Sequence, residues 1–178
     1  AVGLSGRDGD LVCARKLQMS GRAKGDDLKD APPELIDLGR VGQVTKINPE
    51  VLESLSQADF IPVIAPVGVG EDGQAFNINA DLVAGAIAGE LAAEKLMLLT
   101  DVTGVKDRQG VLIASLARQD IEPLIADGTL TGGMIPKVRC CEAALARGVA
   151  KTYILDGRVE HAILLEMFTR EGVGTEIY

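Results

Sequence analysis

The sequence predicts an α/β fold, a three-layer αβα sandwich around a mainly parallel central sheet, with projecting β-hairpins. Three observations carry this. Of 178 residues, 47% are hydrophobic but only 3% aromatic, and Trp is absent. Such a composition suits a core of Val, Ile, Leu and Ala rather than an aromatic β-sandwich. Continuous apolar runs, FIPVIAPV and KLMLLTD, have the length expected of strands covered on both faces. Helical segments of about ten residues separate such runs, as crossover connections between parallel strands require.

Taken in order, AVGLSG and LVCARKL read as strands joined through the turn-forming Arg7-Asp8-Gly9-Asp10. A polar stretch over 20–33 interrupts them, and DLGRVGQVTKI resumes β-like alternation; hairpins of this kind project from a domain. Asn48 is expected to cap a short helix with Pro49 at its first position, and Val51, Leu52 and Leu55 supply the apolar face. After FIPVIAPV come GVGEDGQAFNIN, a helix over 80–93 and the strand KLMLLTD. A hairpin, VTGVKDRQGVLIASL, leads to a helix over 120–126. GTLTGGM then opens a helix through 136–147, followed by the strand KTYILDG, a helix over 161–168 and GTEIY. The chain reads as one lobe, 1–178, with a β-hairpin region over 1–47 and an αβα core over 48–178.

Eighteen basic against 26 acidic residues give a net charge of −8. With Lys and Arg scattered, a nucleic-acid or anionic-membrane surface is not expected. Glu90, Glu94 and Lys95 break the longest apolar run, so no bilayer span is predicted. No signal peptide is visible, and a cytoplasmic protein is expected. Cys13, Cys140 and Cys141 lack C-x-x-C spacing, which disfavours a disulfide framework or zinc site; Cys140 and Cys141 read as small core residues.

Gly68, Gly70 and Gly73 satisfy G-x-G-x-x-G after a strand. The following QAFNI is extended, however, and Glu71 and Asp72 would repel a pyrophosphate, so Asp72-Gly73 reads as a hairpin turn. Asn79 and Asp81 fit a helix N-terminus, Asn as cap and Asp at the positive end of the dipole. Asn77 has no such role. It would sit at the C-terminal end of an extended segment, where open α/β sheets bind ligands and where amides beside free helix N–H groups can hold a carboxylate. In TLTGGMIPK, a Gly-Gly pair precedes a helix with Lys137 in its first turn; loop, dipole and cation could act together on a phosphate. The alternative is a glycine linker with a solvated Lys. Asp101-Val102-Thr103-Gly104-Val105, following an apolar strand, could wrap a base or ribose, or form a β-turn with Gly104 at positive φ.

FNINAD, LLTDVTGVKD, TLTGGMIPKV and DGRVEHAILLEMFTREGVGTEIY, in this order, resemble the C-terminal, nucleotide-binding part of the amino acid kinase family, in its N-acetyl-L-glutamate-phosphorylating branch. The resemblance extends over AVGLSGRDGDL and GRVGQVTKINPEVLESL, essentially the whole chain. It implies ATP-dependent phosphorylation of the γ-carboxylate of N-acetyl-L-glutamate in arginine biosynthesis. Asn77 and Asn79 would bind the acceptor, Asp81 would organise catalytic lysines, and Lys137 would stabilise the transferred phosphoryl group. Asp101, Val102, Thr103, Gly104, Val105 and Lys106, with Thr129, Leu130, Thr131, Gly133 and Met134, would contact ATP. Mg²⁺ would be held mainly by phosphates and water, since no carboxylate cluster is evident. A carboxylate acceptor is already ionised at pH 7, so no general base is needed.

His161, Glu166, Gly172, Gly174 and Thr175 resemble the signature of arginine-inhibited members, with Glu166 pairing with a guanidinium. Ile163, Leu164, Met167 and Phe168 otherwise make a core face for an ordinary amphipathic helix with a glycine C-cap. A homo-oligomer and docking by a PII-type signalling protein are further partners raised by the resemblance. The family's phosphate-loop Lys and acceptor Arg find no match here, so the chain is expected to begin after an N-terminal part and to be inactive alone. Two alternatives remain at this level: a kinase of glutamate, aspartate or carbamate, and a non-catalytic nucleotide or arginine sensor.

Overall fold

The computed structural model describes residues 1–21, 34–36, 38–169 and 172–178. Most of the polar stretch expected over 20–33 lies outside them. The chain divides into two compact units, Ala1–Val83 and Ala84–Tyr178.

In the first unit, β1 (Val2–Ser5) pairs in parallel with β6 (Pro62–Ala65), Val2 opposite Pro62. The hairpin anticipated between AVGLSG and LVCARKL therefore does not form. Instead β2 (Val12–Lys16) pairs antiparallel with β5 (Gly42–Ile47) and parallel with β7 (Val67–Val69), and β7 pairs antiparallel with β8 (Ala75–Asn77). A further pair, β3 (Met19–Gly21) and β4 (Glu34–Ile36), is antiparallel. Leu11, Val12, Ile47, Phe76 and Ile78 are buried here.

Two expectations are corrected in this unit. FIPVIAPV is split at Pro66, which has no N–H for a ladder, and Phe60, Ile61 and Val63 are 48%, 70% and 58% exposed rather than covered. Asn48 does not cap α1 (Glu50–Gln57), because its Nδ2 donates to the Gly9 carbonyl at 2.9 Å. Asp72-Gly73 is the β7–β8 turn: Gly73 has φ +75°, and Asp72 Oδ1 accepts from the Gln74 N–H at 3.0 Å.

Helix α2 (Ala80–Glu90) contains the division between the units. It ends three residues before the expected 93, where Ala92 takes positive φ and the Ala93 N–H turns back to the Ala88 carbonyl.

The second unit is built on a four-stranded sheet of β9 (Lys95–Thr100), β10 (Ser115–Leu116), β11 (Lys151–Asp156) and β12 (Gly174–Ile177), ordered β10-β12-β11-β9. β9 and β11 are parallel, as are β10 and β12, while β11 and β12 are antiparallel. The sheets of the α/β fold are thus mixed. Helices α3 (Ile121–Ala126), α4 (Met134–Ala146) and α5 (Ala162–Phe168) complete the unit. Leu98, Val105, Ile121, Val138, Cys141, Ile154 and Ile177 belong to one buried cluster, and the cysteines form no disulfide.

α5 departs from expectation. Only Ala162 is buried, and Ile163, Leu164, Met167 and Phe168 are 40%, 53%, 48% and 78% exposed. The helix closes at an extended Thr169 whose hydroxyl donates to the Leu165 carbonyl, with no glycine cap.

Candidate functional site

In the first unit, Asn77 ends β8. Its N–H donates to the Arg40 carbonyl at 2.8 Å, and its residue is exposed. Two residues on, Asn79 caps α2: its Oδ1 accepts from the Leu82 N–H at 3.2 Å, while its carbonyl receives the Val83 N–H. Asp81 lies half-buried in the first turn of the same helix. A strand end and a helix N-terminus therefore meet within five residues, offering amide donors to an anion.

A cleft of about 970 Å³ in this unit is lined by β2, β5 and the β7–β8 turn, including Cys13, Arg15, Lys46 and Asp72. None of the predicted residues lines it.

In the second unit, two predicted nucleotide segments are joined. Asp101 to Lys106 leave the C-terminal end of β9, where ligands of open α/β sheets bind. Past them, Asp107 Oδ1 accepts from the N–H groups of Gln109 and Val111, making the turn that returns the chain. Arg108, on this turn, reaches the segment before α4: its Nε donates to Thr129 Oγ1 at 3.2 Å and its Nη2 to the Asp127 carbonyl at 2.7 Å. Asp127 Oδ1 accepts from the Thr129 N–H at 2.9 Å, and these Thr129 bonds, with Arg108 beside them, lower the Asp127 pKa. Leu130 is buried, whereas Thr131 and Gly133 are exposed.

Gly132 has φ +54°, and no atom lies within 4 Å of where a Cβ would project at Gly132 or Gly133. Open space thus fronts the start of α4, which carries Met134 and the half-buried Lys137.

Inside the first loop, the Thr103 hydroxyl is buried and without a partner among the described residues. Burying such a group unpaired costs about 1–3 kcal/mol, and an orphan of this kind calls for an explanation. With almost no accessible surface, it could meet a bound group only by a shift of the loop. Beside the loop, Asp156 at the end of β11 accepts from Arg158 Nε and Nη2, both at 2.8 Å, which holds its carboxyl down to about 2.

At the C-terminal signature, Glu166 Oε2 accepts from the Val173 N–H at 2.7 Å, and Gly172, φ +63°, lies against the same carboxylate. His161 is exposed with φ +59°, its Nε2 3.5 Å from Glu160 Oε1. Gly174 is buried against β11, where a Cβ would lie 2.3 Å from the Ile154 carbonyl. The missing side chain allows close strand packing there.

Among the described residues no group of three or more His, Cys, Asp or Glu side chains could hold a metal ion, and no helix is long and apolar enough to cross a membrane. Sequence reasoning missed Arg108 and Asp127, because no local spacing signals a bond across 19 or 21 residues.

The chain belongs to the amino acid kinase family, whose model matches residues 1–156. It is 74% identical over all 178 residues to an acetylglutamate kinase from Desulfotalea psychrophila, covering 59% of that protein. Identity is 56% over the same span with the acetylglutamate kinase of Geobacter sulfurreducens, again 59% of its length. The chain thus spans about three fifths of the curated relatives it matches. Among solved structures, N-acetylglutamate synthase from Neisseria gonorrhoeae, complexed with coenzyme A and L-arginine, superposes with a TM-score of 0.79 at 28% identity. That match covers 99% of this chain and 38% of the synthase. Carbamate kinase from Giardia lamblia bound to AMP-PNP, at 18% identity and TM-score 0.62 over 90% of this chain and 51% of that one, shares the fold.

Proposed function

We propose that the protein carrying this chain phosphorylates the γ-carboxylate of N-acetyl-L-glutamate from ATP, in arginine biosynthesis, and that these residues form its ATP-binding portion. The observation that carries the reading is the full-span identity with acetylglutamate kinases. The acceptor carboxylate oxygen attacks the γ-phosphorus, the bond to the β,γ-bridging oxygen breaks, and ADP leaves with the charge. The product is an acyl phosphate. Phosphoryl transfer of this kind depends on positioning and on electrostatic stabilisation of the equatorial and leaving oxygens, not on protein nucleophiles.

In this reading Lys137 stabilises the charge on the transferred group, Asp81 organises catalytic lysines, and Asn77 and Asn79 hold the acceptor. The loop from Asp101 to Lys106, with Thr129, Leu130, Thr131, Gly133 and Met134, cradles the nucleotide. The open face at Gly132-Gly133 supports that assignment. Mg²⁺ travels with the phosphates, bound by them and by water. The enzyme works in the cytoplasm.

Arginine is the effector we assign to the segment of His161, Glu166, Gly172 and Gly174. Support comes from Glu166, whose carboxylate already closes on the Val173 N–H and could exchange it for a guanidinium, and from the arginine bound by the synthase. Calorimetry with MgATP, repeated with Lys137→Ala, tests the nucleotide reading. Binding that weakens in the variant is expected; no binding, or binding indifferent to the change, would refute it.

A further inference from the structure

We infer that Thr175, on β12, is a positioning residue that fixes the nucleotide loop from behind. The proposal rests on the nucleotide reading of that loop. The Val105 N–H donates to Thr175 Oγ1 at 2.9 Å across 70 residues of sequence, and both residues are fully buried. The Val105 carbonyl accepts from the Ile113 N–H at 2.8 Å, so both backbone groups of Val105 are held.

Gly104 shows how tightly the loop is seated. Its φ is +135°, and a Cβ there would meet Thr175 Oγ1 and Leu112 Cδ1, each at 2.7 Å. Only glycine lets the chain take this conformation and lie against the threonine. Thr175 is itself immobilised, paired with Ile154 in a strand flanked by β10 and β11.

A rigid sheet residue thus sets the backbone of the loop one residue after Gly104 and two after Thr103. Removing the Thr175 hydroxyl leaves the Val105 N–H buried and unpaired, and the loop relieves that cost by shifting. Nucleotide binding then has to restore the original conformation. Acceptor binding, which in the proposed function uses Asn77 and Asn79, does not.

The test compares Thr175→Val, isosteric but without the acceptor, with Thr175→Ser, which keeps it, in the intact protein. MgATP affinity is read by calorimetry and the KM values for ATP and N-acetyl-L-glutamate separately. Thr175→Val should weaken MgATP binding about tenfold and raise the KM for ATP alike, leaving the acceptor KM unchanged, while Thr175→Ser stays within about twofold of wild type. Should Thr175→Val fail to fold, Thr175→Cys, which only weakens the acceptor, is read in its place with the same direction. A folded variant that binds MgATP as wild type does, or in which both KM values rise together, overturns the positioning role. Wild-type protein that does not bind MgATP overturns the nucleotide reading and this inference with it.

Discussion

Asn79 separates helix capping from substrate binding when it is replaced in two ways. Its Oδ1 accepts from the Leu82 N–H at 3.2 Å, the long end of such bonds, and the residue is exposed. Asn79→Ala removes the cap, and with water able to replace part of the bond the loss falls at the lower end of the capping range, about 0.5–1 kcal/mol. At about 2–4 °C per kcal/mol for a chain of this size, thermal unfolding should move down by roughly 1–4 °C. Asn79→Asp keeps a capping oxygen and adds a charge the helix N-terminus favours, so its melting temperature should equal or slightly exceed wild type. The same Asp places a negative charge where the proposed acceptor carboxylate binds. Differential scanning calorimetry together with the KM for N-acetyl-L-glutamate therefore gives opposite orders: stability Asp ≥ Asn > Ala, acceptor affinity Asn > Ala > Asp. Unchanged stability in Asn79→Ala would refute the capping geometry. An acceptor KM unaltered in Asn79→Asp would refute the carboxylate site.

Arg108→Ala cuts the link between the β9 loop and Thr129, so MgATP affinity should fall roughly threefold to tenfold while stability hardly changes, since the group is exposed; unaltered affinity would show that the two loops hold their places without it. Asp156, held to about 2 by Arg158, contributes stability that is fully present above the ordinary carboxylate pKa and is lost as pH falls through about 2. In Arg158→Ala the Asp156 titration followed by carboxyl NMR should move up toward 3.8, and the stability difference between the proteins should shrink as pH falls through about 2 and vanish only well below it. A wild-type Asp156 titrating near 3.8 would contradict the ion-pair geometry.

What the sequence discloses divides along physical lines. Strand and helix positions in the second unit were legible because apolar runs and helical periods are local signals, and the Asp72-Gly73 turn was legible because Gly at positive φ is a local requirement. Pairing was not: β1 joins β6 across some sixty residues, from Val2 to Pro62, and nothing in AVGLSG specifies that partner over the nearer LVCARKL. Asn48 obeyed its local rule in type and failed it in contact, since the Gly9 carbonyl was the competing acceptor. Helix α5 has an amphipathic pattern whose apolar face is exposed in the described chain; periodicity reports that a face is apolar, not what covers it. At the candidate site, the residues are proposed from their resemblance and their positions at element ends, and the contacts that support them were not legible. Arg108 to Thr129 and Thr175 to Val105 are non-local bonds with no spacing rule.

In the proposed function the phosphoryl group passes to a carboxylate. This transfer is tested most directly by incubating the intact protein with MgATP and N-acetyl-L-glutamate, following ADP release, and trapping the product with hydroxylamine as the hydroxamate. ADP formation that requires N-acetyl-L-glutamate and yields hydroxamate in equal amount is the expected result. MgATP binding without acceptor-dependent ADP release, or release with glutamate, aspartate or carbamate but not with N-acetyl-L-glutamate, would contradict the account.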